Sequence, residues 1–77
     1  MEKLIEAIVK PLVDFPEDVL IERTEDEKSV TYRLKVHPND VGKIIGKQGR
    51  VAKAIRTVVY AHAQTTEKKK VYLEITD

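Results

Sequence analysis

Apolar residues at the start of the chain recur at helical spacing: Leu4, Ile5, Ile8, Val9 and Leu12 share one side, with Glu2, Glu6 and Lys10 on the other. The spacing predicts an amphipathic helix ending near Asp14. Pro11 has no N–H to give to the Ala7 carbonyl, so this helix should kink or tighten in its last turn, and Phe15-Pro16 should end it. The period then changes to two. Val19, Ile21 and Arg23 alternate with Leu20, Glu22 and Thr24. After the polar stretch from Glu25 to Ser29, Val30, Tyr32, Leu34 and Val36 alternate with Thr31, Arg33, Lys35 and His37. Two strands joined by a short charged turn make a hairpin. The same alternation returns at the end, where Val71, Leu73 and Ile75 are set against Tyr72, Glu74 and Thr76 as a third strand.

Between the second and third strands, Pro38-Asn39-Asp40 supplies capping chemistry and a proline suited to a first turn, which predicts a short helix that Gly46 soon stops. From Arg50 to about Gln64 the pattern is helical again. At about 100° per residue, Val51, Ile55, Val58 and His62 line one stripe with Ala54 and Val59 beside it, while Arg50, Lys53, Arg56, Thr57 and Tyr60 lie opposite. The order is helix, strand, strand, short helix, tight turn, long helix, strand, without repeat, linker or low-complexity segment. It predicts an α+β fold with helices on one face of a small sheet. A chain of 77 residues has room for one domain over residues 1–77.

Composition narrows the function classes. With 42% hydrophobic and 35% charged residues the chain reads as globular. It has no cysteine, which excludes a disulfide scaffold, a thiolate zinc site, an iron–sulfur cluster and a cysteine nucleophile, and suits a reducing compartment. Glu6 and Lys10 interrupt the first apolar segment, and no small-residue cleavage site follows it, so no signal peptide is expected. No apolar run approaches the roughly 20 residues that cross a bilayer, and the expected location is the cytoplasm. The net charge of +1 hides an asymmetry: residues 1–40 carry a net −4 and residues 41–77 a net +5, with no acid between Asp40 and Glu67. A stretch free of acids makes a local positive field that attracts a polyanion, though a basic helix face is also a common solvated surface.

The most informative stretch is Val41 to Arg56, VGKIIGKQGRVAKAIR. Gly46 and Gly49 flank Lys47-Gln48 in a very tight connection between two helical segments. Glycine there permits positive φ and close approach of another backbone, at about 0.5–1 kcal/mol each relative to alanine. The helix that starts at Arg50 offers free N–H groups with partial positive charge, to which Lys47 and Arg50 add whole charges. Helix start, glycine turn and basic side chains describe a phosphate-binding site. A nucleotide-binding P-loop is excluded, because only three residues separate Gly42 from Gly46 and Lys47 is followed by Gln48 instead of Ser or Thr. A dinucleotide fingerprint is excluded because no G-x-G-x-x-G occurs.

Ile44-Ile45-Gly46-Lys47-Gln48-Gly49, followed by Arg50 and Ile55, resembles the KH domain, whose hallmark is an apolar-apolar-Gly-x-x-Gly turn between two helices. The element order over nearly the whole chain is similar to the bacterial type II arrangement, α-β-β-α-α-β with a three-stranded mixed sheet. The opening LIEAIVKPLVD, the segment DFPEDV and VGKIIGKQGRVAKAIRTVV look like the small bacterial single-KH proteins. The resemblance implies single-stranded RNA, or sometimes DNA, held in a groove with the GxxG loop clamping the backbone of about four nucleotides. It places Gly46, Lys47, Gln48 and Gly49 in the clamp, Val41 and Ile45 in an apolar floor, and Gly42 at a point of close approach. Lys43, Arg50 and Lys53 would supply the surrounding field, and Lys68, Lys69 and Lys70 would lie in the variable loop of the facing wall. It further implies a homodimer, or pairing with a larger KH-containing protein, and an RNA chaperone tied to cell-wall organisation and cell shape.

Single-strand binders commonly stack bases on aromatic rings, yet this chain has only Phe15, Tyr32, Tyr60 and Tyr72, none in the GxxG segment. That favours weak affinity and loose sequence preference, with a second copy or a partner supplying avidity. An alternative use of the fold is as a protein–protein adapter, against which the basic Lys47 and Arg50 speak. His37 and His62 are too few and too distant for a metal site. His62 reads as packed or capping carbonyls, while His37 reads as a strand end with RNA contact as its alternative. Tyr60 reads as partly exposed or as part of a dimer surface. Ser29 is the only serine, with no histidine adjacent, so neither a triad nor any other enzyme chemistry is supported, and no cofactor is expected.

Overall fold

The computed structural model describes residues 1–76, and side chains through Ile75, so the outward placement expected of Thr76 lies outside the described residues. Helix α1 (Glu2–Val9) turns Ile5 and Val9 inward, where both are fully buried. The tightening expected at Pro11 occurs. Lys10–Leu12 form a 3-10 turn closed by Val13 N–H to the Lys10 carbonyl at 3.4 Å, so the regular helix ends well before Asp14. The cause is the missing Pro11 N–H, which removes a bond of the α ladder. A second 3-10 turn, Pro16–Asp18, leads into the sheet.

Strands β1 (Leu20–Glu25) and β2 (Ser29–Lys35) form the expected antiparallel hairpin, with Ile21 opposite Leu34 and Arg23 opposite Tyr32. Asp26 builds its turn. One carboxylate oxygen accepts from the N–H groups of Lys28 at 2.8 Å and Ser29 at 2.7 Å, as short polar side chains do at turns. Strand β3 (Lys70–Thr76) joins the other side of β2 in parallel, Tyr32 opposite Leu73, so the sheet is mixed with order β1-β2-β3. The parallel connection carries α2 (Val41–Ile45) and α3 (Arg50–Thr66), as a crossover between parallel strands requires. Val30, Tyr32, Leu34, Val36 and Leu73 of the sheet segments pack with Ile5, Val9, Ile44, Ile55 and Val59 in one core. The expected type II KH architecture is the one observed.

Two local expectations fail. Asp40 does not cap α2; its side chain reaches across the chain to Asp14 and Phe15 instead, and the residue that accepts locally is His37, whose Nδ1 takes the Asn39 N–H at 3.0 Å. The buried face of α3 is Ala52, Ile55, Val59 and Ala63, rotated from the predicted stripe by roughly 75° at 3.6 residues per turn. Val58 is 50% exposed, and Ala54 and His62 are exposed as well. The small Ala52 and Ala63 let the helix pack closely, and Arg56 and Tyr60, expected on the solvated face, become half-buried against β3.

Candidate nucleic-acid interface

The turn between α2 and α3 is built from left-handed backbone. Gly46 closes α2 with its N–H on the Gly42 carbonyl at 2.8 Å and adopts φ 73°, ψ 178°, a region open essentially to glycine alone. A Cβ at Gly46 would lie 2.9 Å from the Val51 Cβ and 3.0 Å from the Val51 nitrogen, so glycine is needed for space as well as conformation. Gln48 (φ 57°, ψ 25°) and Gly49 (φ 74°, ψ 15°) are also left-handed, and nothing lies within 4 Å of a Cβ built at Gly49. Gly49 has no side chain with which to cap α3, and the first-turn N–H groups have no side-chain acceptor. The Arg50 N–H donates to the Lys47 carbonyl, and the positive end of a 17-residue helix stands behind this turn.

Around this opening, Lys47, Gln48, Arg50 and Lys53 are exposed, and none of the three cations makes an ion pair among the described residues. Ile44 is fully buried and anchors α2 in the core, while its neighbour Ile45 is 38% exposed beside the turn. Val41 is half-buried, and Gly42 has nothing within 4 Å of a built Cβ, so the α2 surface there is open. The structure therefore brings Val41, Gly42, Ile45, Gly46, Lys47, Gln48, Gly49, Arg50 and Lys53 to one end of the α2–α3 pair.

Two of the predicted cations are committed elsewhere. Lys43 Nζ pairs with Asp14 and lies 3.9 Å from Asp40; the hydrogen bond it donates to Asp14 raises its pKa. Asp40 is fully buried and accepts from the N–H groups of Asp14 at 3.1 Å and Phe15 at 3.0 Å. Burial pushes its carboxyl up, but those two N–H groups, with Lys43 and His37, outweigh it and hold the carboxyl below its ordinary value. Asp40 and Lys43 together pin the 10–18 connection to the start of α2, and the His37 ring stacks on Phe15 at 4.0 Å in the same corner. Lys69 Nζ is held by Glu25 at 2.6 Å and by the Asp26 carbonyl at 2.7 Å, which ties the α3–β3 connection to the hairpin turn. Lys68 and Lys70 beside it are exposed.

Arg56 and Tyr60 do what their place in the sequence did not announce. Arg56 Nε donates to the Leu73 carbonyl at 3.1 Å, and the Leu73 N–H donates to the Tyr60 hydroxyl at 3.1 Å. Leu73 sits on the edge strand, so these two side chains satisfy main-chain groups that no fourth strand reaches. The signal was their spacing of four, which puts both on one side of α3; the missing information was the rotation of that helix. No group of three or more His, Cys, Asp or Glu residues suited to a metal occurs among the described residues.

Comparison with known proteins gives one family. The family described as KhpA/KhpB, KH domain, matches residues 2–75. The chain is 60% identical over 75 residues to the RNA-binding protein KhpA of Oceanobacillus iheyensis, covering 97% of this chain and 99% of that one. It is 59% identical over 75 residues to RNA-binding protein KhpA of Listeria monocytogenes, covering 97% of each. Against RNA-binding protein KhpA of Bacillus subtilis it is 53% identical over 77 residues, covering 100% of this chain and 94% of the relative. Among solved structures, Era in complex with MgGDPNP and a fragment of 16S ribosomal RNA superposes with a TM-score of 0.72 at 19% identity; the match covers 95% of this chain but 28% of Era. Aquifex aeolicus Era bound to GDP.AlF4− gives 0.71 at the same 19% identity. These last two likenesses concern the fold.

Proposed function

The chain belongs to the KhpA/KhpB KH-domain family, and from that premise we propose that it binds single-stranded RNA by clamping the sugar-phosphate backbone in the Gly46–Gly49 turn. The observation that carries this reading is the start of α3, without a side-chain cap, behind a left-handed glycine turn and flanked by Lys47, Arg50 and Lys53, which make no ion pair among the described residues. Phosphate oxygens meet main-chain N–H groups at the helix start, and the three cations supply charge without first having to break an ion pair. Ile45, Val41 and Gly42 form the apolar floor along which the bases lie. Lys68 and Lys70 extend the positive field on the far side, whereas Lys43 and Lys69 act as structural ties. The protein works as one module over residues 1–77, without catalysis, as a cytoplasmic RNA chaperone or post-transcriptional regulator.

The experiment is fluorescence anisotropy of a labelled, mixed-sequence single-stranded RNA with wild type and a Lys47→Asp, Gln48→Asp double variant. Gln48 already has left-handed backbone, which aspartate tolerates, so the variant should fold normally. Loss of binding in a folded variant is the expected result; retained wild-type affinity would move the clamp elsewhere.

A second element of the reading is self-association, or pairing with the larger KH-containing protein KhpB. It is supported by the apolar face between α1 and α3, where Leu12 is 43% and Val58 50% exposed next to Ile8, Val51 and Ala54. Sedimentation of wild type and Val58→Glu, alone and mixed with KhpB, tests it; identical monomeric behaviour in every case would remove this element.

A further inference from the structure

Resting on the single-strand reading above, we infer that the recess between the C-terminal half of α3 and the start of β3 is a further subsite for one unpaired nucleobase, stacked on the Tyr60 ring. The recess encloses about 420 Å³ and is walled by Tyr60, Gln64, Glu67, Lys68, Lys70 and Tyr72 among others, a size within the range of small-molecule sites. Tyr60 is half-buried, and its hydroxyl is fixed by the Leu73 N–H at 3.1 Å. The ring is thus held as a wall before any ligand arrives, which spares the ordering cost that a free tyrosine would incur. Stacking on such a ring accepts any base, because every base has a π face.

The polar groups of the recess suit a nucleotide within a strand better than a free anion. Gln64 follows Tyr60 by one helical turn and offers both a donor and an acceptor to a base edge. Lys68 and Lys70 are exposed, without an ion pair among the described residues, and can meet the phosphates on either side of the base. The Glu67 carboxylate on the same rim disfavours an isolated phosphate. Position agrees with this assignment. Ten residues of α3 separate Arg50 from Tyr60, about 15 Å of helix, which matches about four stacked nucleotides at 3.4 Å each. A strand clamped at Gly46–Gly49 and running along α3 therefore reaches the recess with the nucleotide that follows the clamped ones. Tyr60, which the chain's sparse aromatic content seemed to leave without a ligand, gives the far end of the groove its stacking surface.

The test pairs a short RNA of about four nucleotides with a longer one of about eight, each carrying 2-aminopurine at one position in turn. Beyond the gain that the several registers of a longer strand give on their own, wild type should bind the longer RNA about fivefold or more tightly than the shorter, the lower end of what one base–aromatic stack supplies. At one position near an end of the longer RNA, 2-aminopurine fluorescence should be quenched on binding. Tyr60→Phe keeps the ring and should keep the quench, with a smaller length gain because no hydroxyl holds the ring on Leu73. Tyr60→Leu should lose both while binding the shorter RNA like wild type, and the exposed pair Lys68→Ala, Lys70→Ala should reduce the length gain in a protein whose core is untouched. Adenosine monophosphate at millimolar concentration should leave the quench in place.

Normal binding of the short RNA, with no length gain beyond that of the added registers and no quenched position in wild type, overturns the subsite and leaves the clamp standing. A quench that adenosine monophosphate abolishes also overturns it, by making the recess a free-nucleotide site. Failure of wild type to bind either RNA overturns the clamp and the subsite together.

Discussion

Gly46→Ala and Gly49→Ala look alike in sequence and should differ sharply in cost. At Gly46 the backbone (φ 73°, ψ 178°) lies where a side chain costs about 1–3 kcal/mol. The new Cβ would also press on the Val51 Cβ at 2.9 Å and on its nitrogen at 3.0 Å, and because neither atom can move without shifting the start of α3, overpacking adds about 1–3 kcal/mol. At Gly49 (φ 74°, ψ 15°) the left-handed penalty of about 1–2 kcal/mol stands alone, because the added methyl meets open space. A 77-residue chain has of the order of 4–12 kcal/mol of total stability, so the Gly46 change removes a large share and the Gly49 change a small one. Urea denaturation followed by far-ultraviolet circular dichroism gives both costs from the midpoints at constant m. Adding Val51→Ala to Gly46→Ala should relieve part of the penalty as a favourable coupling, since the Val51 Cγ2 that the new Cβ would also meet disappears, while the contacts with the Cβ and nitrogen of residue 51 and the backbone strain stay. Equal costs at the two glycines, or a larger one at Gly49, would refute this account of the turn.

Asp40 makes stability acid-sensitive in a definite direction. Its folded-state pKa lies below the unfolded one, so the stabilisation is complete above the ordinary carboxylate range and is lost as pH falls through the lowered value. The stability difference between wild type and Asp40→Asn, from urea melts between neutral pH and about pH 3, should shrink on acidification; a constant difference would contradict it. The lysines should sort by their partners: Lys53→Ala weakens RNA binding clearly, whereas Lys43→Ala and Lys69→Ala weaken it little and lower thermal stability instead. Parallel anisotropy and melting scans check this, and equal affinity losses for all three would show that the ion pairs open to meet RNA.

Much of the architecture was legible because it is local. Period two marked β2 and β3, Pro11 marked the tightened end of α1, and the Gly46/Gly49 spacing marked the left-handed turn between α2 and α3, each through chemistry carried by neighbouring residues. The buried face of α3 was not legible. Val51, Val58 and His62 outweigh Ala52 and Ala63 in any reading by hydrophobic size, whereas close packing selects the small residues and leaves Val58 on an apolar surface shared with Leu12. That rotation also hid Arg56 and Tyr60, whose partner Leu73 lies 17 and 13 residues away. The partners of Asp40, Lys43 and Lys69 were hidden for a related reason: a short polar residue before a helix usually caps it and an exposed lysine is usually free, but these partners lie 25 or more residues distant. Local pattern cannot supply contacts of that kind.

The most direct test of the backbone clamp is the salt dependence of RNA affinity. On an RNA of about four nucleotides, which fills the clamp alone, Lys47, Arg50 and Lys53 each neutralise one phosphate, so log K should fall linearly with log salt concentration at a slope of about −2, from about 0.7 per phosphate on a single strand. The Lys47→Asp, Gln48→Asp variant should bind far more weakly, with a shallower slope and an unchanged circular dichroism spectrum. A wild-type slope near zero, or one that the double variant leaves intact, would contradict backbone clamping by this turn.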